Sequence, residues 1–161
     1  MNEISYKKDF ISKELEEEVI NLISSLPKPK SRESFYKIYR FGEYVAPYNT
    51  CQVSDVIPDV FYKFGIKKEE FDSITVNEFI KDQYIPFHYD SPCAGEKIVV
   101  VSLKGNSELT LKKDSEEKTY KIEPRSLFVL EGDLRWKWQH SSKALEERIS
   151  VVFRKSVKKV K

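Results

Sequence analysis

The chain has 161 residues, of which 28 are Lys or Arg and 26 are Asp or Glu, giving a formal net charge of +2. With 40% hydrophobic, 13% aromatic and 34% charged residues it can bury one core, and it is too mixed for a fibrous repeat or a disordered polymer. The near-neutral balance neither demands nor excludes a polyanion partner, and no run approaches the ~20 apolar residues of a membrane span.

The opening Met1-Asn2-Glu3-Ile4-Ser5 lacks the order of a secretory signal. Cys51 and Cys93 make no disulfide framework, so a reducing cytoplasm or nucleus is the expected location. Ser12 is placed to cap a helix whose first turns are acidic (Glu14, Glu16, Glu17, Glu18) and whose stripe is Leu15, Val19, Leu22, Ile23 and Leu26. Pro27 ends it, and a basic loop with Lys28, Lys30 and Arg32 follows. From Phe35 to Tyr48 the aromatic density predicts a strand pair or ribbon broken by Gly42. A short second helix is predicted from Pro58 to Gly65, with Val60, Phe61 and Phe64 inward.

The remainder reads as sheet. Strands are predicted over Ile74–Ile80, Ile85–Tyr89, Ile98–Leu103, Glu108–Lys112, Thr119–Ile122, Ser126–Leu130 and Ile149–Phe153, separated by turn signals. The expected fold is mainly β with N-terminal helices, a double-stranded β-helix or jelly roll, in one domain spanning 1–161. Within it, 1–73 would be helical support and substrate-lid ribbon, 74–154 the jelly-roll core and 155–161 a basic tail.

The chain has only two histidines, and both fall where chemistry would need them. In His88-Tyr89-Asp90, extended geometry turns the imidazole and the carboxylate to one face. His140 follows after enough chain for several strands to cross a barrel and return. Two imidazoles and one carboxylate form the facial triad of non-haem Fe(II) oxygenases, which leaves coordination positions open. H-x-D alone is a weak motif, so the surrounding residues matter. Arg148, Ser150, Val152 and Arg154 share one face of a strand whose other face is Ile149, Val151 and Phe153. Two arginines on a core strand need anions, either a dicarboxylate gripped bidentately or the nearby Glu146 and Glu147. Asn77 and Phe79 share a face of their strand, where Asn77 can donate to a carboxylate. Trp136 and Trp138 precede His140 at i and i+2 and are expected to share a face.

In this order the segments resemble the AlkB family of Fe(II)- and 2-oxoglutarate-dependent dioxygenases over nearly the whole chain. The resemblance runs through Tyr6–Ser12 before the acidic helix, Tyr39-Arg40-Phe41-Gly42-Glu43-Tyr44, and Asn77-Glu78-Phe79 eleven residues before His88. It continues through Ile98–Leu103 ending in Ser-Leu, Ser126–Leu130 followed by Trp138-Gln139-His140-Ser141, and the R-x5-R of Arg148 and Arg154. It implies Fe(II) on His88, Asp90 and His140, with 2-oxoglutarate as cosubstrate held by Arg148, Asn77 and Arg154. Phe79 stands where the family has tyrosine, removing a hydroxyl donor worth ~1.5–3 kcal/mol toward a charged group; Tyr84 is a candidate replacement.

The resemblance also places Tyr36, Tyr39, Arg40, Phe41 and Tyr44 in a substrate lid; Trp138, with Trp136, is either a wall of the substrate pocket or, as the commoner use of such residues, packing against the barrel. It implies dioxygen as co-reactant and a nucleic-acid base, DNA or RNA with tRNA among the options, as the target of oxidative demethylation or hydroxylation. Aromatics beside Lys28, Lys30 and Arg32, together with the basic tail, suit stacking and phosphate contact. A monomer without membrane contact is expected. The alternatives are a protein side-chain hydroxylase or demethylase of the same fold, a non-enzymatic jelly roll binding a metal or small ligand, and a catalytically impaired nucleic-acid binder.

Overall fold

The computed structural model of the chain describes residues 4–27, 36–43 and 52–157. The first helix, α1 (Lys13–Ser25), starts where the Ser12 side chain accepts a bond from the Leu15 amide at 3.1 Å. It stops at Leu26, held extended before Pro27, because the proline ring disfavours helical backbone in the residue ahead of it. Leu15, Val19 and Ile23 are buried, as the stripe predicts. Glu16 is buried too, which the acidic first turn does not suggest: it pairs with Arg125 at 3.1 Å and ties the helix to the sheet below.

Among the described residues, eleven strands form two sheets. They are β1 (Ser5–Lys7), β2 (Lys37–Gly42), β3 (Gln52–Ser54), β4 (Ser73–Phe79), β5 (Tyr84–His88), β6 (Lys97–Ser102), β7 (Ser107–Lys113), β8 (Glu116–Ile122), β9 (Leu127–Glu131), β10 (Gln139–Ala144) and β11 (Arg148–Arg154). Seven lie in the order β1-β9-β6-β11-β4-β2-β3, and four in the order β5-β10-β7-β8. This is the mainly-β jelly roll expected from the sequence. The predicted second helix is a 3-10 segment, Asp59–Phe64, that buries Phe61 and Phe64.

Period two sorts the large sheet's side chains between two layers. Val99, Val101, Val129, Ile149, Val151 and Phe153 face α1 and the 3-10 segment in one apolar cluster. Ile98, Val100, Phe128, Leu130 and Val152 face the small sheet, meeting Leu109, Leu111, Ile122 and Trp138 in a second. Central strands covered on both faces read as unbroken apolar runs, which is why Ile98–Leu103 is so conspicuous in the sequence.

The aromatic segment differs from its expected ribbon. β2 is a full member of the large sheet, antiparallel to β4 (Tyr39↔Val76, Phe41↔Ile74) and parallel to β3. Tyr39 and Phe41 therefore sit in the core under α1, with 0% and 2% exposure. Gly42, at φ 94°, lies so close to the Asp72 carbonyl that a Cβ has no room there. Tyr44, Tyr48, Lys28, Lys30, Arg32 and the end of the basic tail lie outside the described residues. Among those described, no helix is long and apolar enough to cross a membrane.

Candidate metal and diacid site

The site lies between the sheets. β5 delivers His88 at its C-terminal end, and Asp90 follows two residues later. β10 runs antiparallel between β5 and β7, and its register sets His140 directly opposite His88. The two imidazole centroids are 4.2 Å apart. One ligand atom from each of His88, Asp90 and His140 lies within 4.8 Å of the others. Both Nε2 atoms approach Asp90 Oδ1, at 3.4 Å from His88 and 3.5 Å from His140. The three groups picked from the sequence thus converge from distant parts of the chain.

Asp90 and His140 are biased toward their ligating forms, whereas His88 is not. His88 Nδ1 lies 2.7 Å from the Pro86 carbonyl; donating there leaves Nε2 free as a ligand. Burial alone lowers the His88 pKa, but its bonds to Asp90 and Pro86 outweigh it and the pKa is raised. Burial pushes His140 down, toward the neutral, ligating form. Asp90 is 8% exposed, which would raise its pKa. The Arg154 charge and the two imidazoles outweigh that burial and hold the carboxyl well below the usual carboxylate range. Arg154 Nε donates to Asp90 Oδ2 at 2.9 Å and its NH1 to Thr75 Oγ1 at 3.1 Å, so it braces the ligand carboxylate.

Beside the triad is a cavity of about 60 Å³. Its apolar wall includes Ile85, Ile98, Val100, Leu109, Phe128, Leu130 and Val152, and its polar groups are Asn77, Ser142, Ser150, Arg148 and Arg154 with the triad itself. Arg148 is 2% exposed and donates to Ser102 Oγ at 3.0 Å and Ser142 Oγ at 3.3 Å. Among the described residues its Nε has no hydrogen-bond partner. Among the described residues no acid pairs with Arg148: Glu147 is taken by Lys104 and Glu146 accepts from Asn106. Burial pushes the Arg148 pKa down to about 10. Among the described residues its hydrogen-bond partners are hydroxyls alone, which leaves the buried charge without an anion.

The remaining residues singled out from the sequence divide. Asn77 lines the cavity. Phe79 does not; its ring lies 5.6 Å from the Arg148 guanidinium and 4.8 Å from Tyr36, as a platform beneath the cation. Tyr84 does not replace the lost hydroxyl, because it is 48% exposed on the opposite side of β5 from cavity-lining Ile85. Arg40 pairs across the ladder with Thr75 and so faces the site side of the sheet, whereas Tyr39 and Phe41 face away from it. Trp138 is core between the sheets. It shares no face with Trp136, because Trp136 is the last residue of a short helix, α2 (Asp133–Trp136), rather than part of a strand, and is 40% exposed. Sequence reading missed Ser142, although its place two residues after His140 on a strand puts it on the same side. It also missed Ser102 as the partner of Arg148.

No protein-family profile and no curated protein matches the chain. Among solved structures, that of OsALKBH1 is similar with a TM-score of 0.72 at 15% identity, over 94% of this chain and 97% of that one. The Escherichia coli ribosomal oxygenase YcfD gives a TM-score of 0.49 at 11% identity over 63% of this chain and 28% of its own, too little to argue from. The likeness is one of fold: the chain shares the jelly-roll architecture of OsALKBH1 over nearly its whole length.

Proposed function

We propose that the protein is an Fe(II)- and 2-oxoglutarate-dependent dioxygenase that oxidises a nucleic-acid base by demethylation or hydroxylation. One observation carries the reading: a buried arginine without an acid shares a cavity with a His-Asp-His cluster of metal-ligand geometry. When bound, Fe(II) and 2-oxoglutarate supply oxidation of a substrate C–H bond by dioxygen, coupled to decarboxylation of the cosubstrate to succinate.

The chain's own residues do the rest. Asp90, kept ionised by Arg154, gives the cluster a negative charge toward a ferrous ion. Pro86 fixes which His88 nitrogen faces it. Arg148, with Ser142 and Asn77 nearby, holds the far carboxylate of the diacid, and Ser142 offers a hydroxyl that Phe79 lacks. The aliphatic wall keeps water from the reacting carbons. For the substrate, support comes from Arg40 and Tyr36 near the site and from the basic residues flanking the aromatic segment.

The test is succinate release with Fe(II), dioxygen and 2-oxoglutarate across methylated single-stranded DNA and RNA, methylated peptides and unmodified peptides. Succinate and formaldehyde formed with an oligonucleotide, and lost in His140→Ala, are expected. Turnover only with peptides transfers the reading to a protein hydroxylase or demethylase. No turnover with any substrate, while metal and 2-oxoglutarate still bind, makes it a binding protein.

A further inference from the structure

Asp90 is held from two sides. Arg154 grips its carboxylate, and a second guanidinium grips its backbone. Arg135, 3% exposed on α2, donates from NH1 to the Asp90 carbonyl at 3.0 Å, from NH2 to the Ser91 carbonyl at 2.7 Å and from Nε to the Gly95 carbonyl at 2.9 Å. All three acceptors belong to the loop that leaves the H-x-D motif. That loop is otherwise tightly folded: Ser91 Oγ accepts from the Cys93 amide, and Gly95, at φ 85°, abuts the Lys155 carbonyl with no room for a Cβ. Trp136 covers the guanidinium, its ring centroid 3.9 Å away, and is itself anchored by a bond from Nε1 to Glu96. Arg135 also lies five residues before His140 in the chain. One planar fork therefore couples the segment carrying Asp90 to the segment carrying His140.

We propose that Arg135 is a positioning residue for the metal centre, setting the spacing and direction of the Asp90 and His140 ligands through those three carbonyls. The inference rests on the metal-centre reading above. The fork geometry is specific to arginine: an ammonium is a single point donor and cannot span three carbonyls in one plane. Groups that orient metal ligands without touching the metal typically change its affinity by about 10–100-fold when removed.

Co(II) serves as an oxygen-stable probe, read by its dissociation constant and visible d–d absorption, with the thermal midpoint of the metal-free protein measured alongside. Arg135→Gln is expected to bind Co(II) about 10–100-fold more weakly with shifted bands, and Arg135→Lys to fall between it and wild type. Arg125→Gln, which breaks the half-buried pair with Glu16 on α1, is expected to lower the thermal midpoint while keeping Co(II) affinity and spectrum. Wild-type affinity and bands in either folded Arg135 variant overturn the proposal. If Arg135→Gln does not fold, Arg135→Lys decides by the same two readouts. A wild-type protein that binds no Co(II), or binds it equally in His140→Ala, overturns the metal centre itself and with it any role of Arg135 there, an outcome distinct from wild-type behaviour in the Arg135 variants.

Discussion

A guanidinium taken out of water must recover its solvation from other groups, and at Arg148 two serine hydroxyls return only part of it. In the proposed function the cost persists until the diacid binds, so this residue would trade stability of the empty protein for grip on a ligand. Arg148→Met is expected to stabilise the ligand-free protein by roughly 1–4 kcal/mol, since an apolar side chain of similar length removes an uncompensated buried charge. The same variant is expected to weaken 2-oxoglutarate binding at least tenfold, because a charge-assisted hydrogen bond is worth ~1.5–3 kcal/mol. Urea midpoints and calorimetric titration check the two halves, and a destabilised variant would show that Arg148 is compensated in some other way. At Asp90 the logic is reversed. Its carboxylate balances Arg154, so Asp90→Asn removes a metal ligand and strands that arginine together. If Asp90 ligates the metal as proposed, the expected outcome is no Co(II) uptake at concentrations that saturate wild type, with a lower thermal midpoint.

Among the elements, α1 and β2 are held by local devices whose removal has a calculable size. Ser12→Ala is expected to cost about 1 kcal/mol by leaving the Leu15 amide uncapped. Gly42→Ala combines a positive φ with the obstructing Asp72 carbonyl, and its loss in denaturant midpoint is expected to be the larger of the two. The strands also show which signals a sequence carries. β6 and β11 are legible because burial on two faces demands apolar residues at consecutive positions. β10 is not, although it bears His140: one of its faces lines the site with His140 and Ser142, the other presents Gln139, Ser141 and Lys143, and neither alternation is apolar. The aromatic run around β2 misleads for the opposite reason, since rings suited to stacking a base are equally suited to packing beneath a helix, and Tyr39 and Phe41 do the latter. Residues acting through side-chain charge, such as His88, Asp90, His140 and Arg148, announce themselves by type. Arg135 does not, because its partners are backbone carbonyls and any residues could have supplied them.

Over the whole molecule, the cluster joins the end of β5 to the strand beside it and, through Arg154, to the middle of the large sheet. A ligand that binds only the folded state stabilises it by about 2.7 kcal/mol at one hundred times its dissociation constant. For a domain of this size each kcal/mol raises the thermal midpoint by roughly 2–4 °C. Fe(II) or Co(II) at that excess is therefore expected to raise the midpoint by roughly 5–11 °C. A chelator should reverse the shift, and His140→Ala should show none by scanning calorimetry. A similar midpoint rise in His140→Ala would mean that the ion stabilises the protein from another location.

β11 has a parity. Arg148 and Arg154 address one compartment because an even number of steps separates them, and the odd steps between belong to the aliphatic layer under α1. Deleting a single residue between them would turn one guanidinium into hydrocarbon. Deleting two would restore its side while drawing the two guanidiniums closer by about 6–7 Å. Length changes in this strand are thus tolerable only in pairs, and each pair would reset the separation between the arginine that braces Asp90 and the arginine buried beside the cavity.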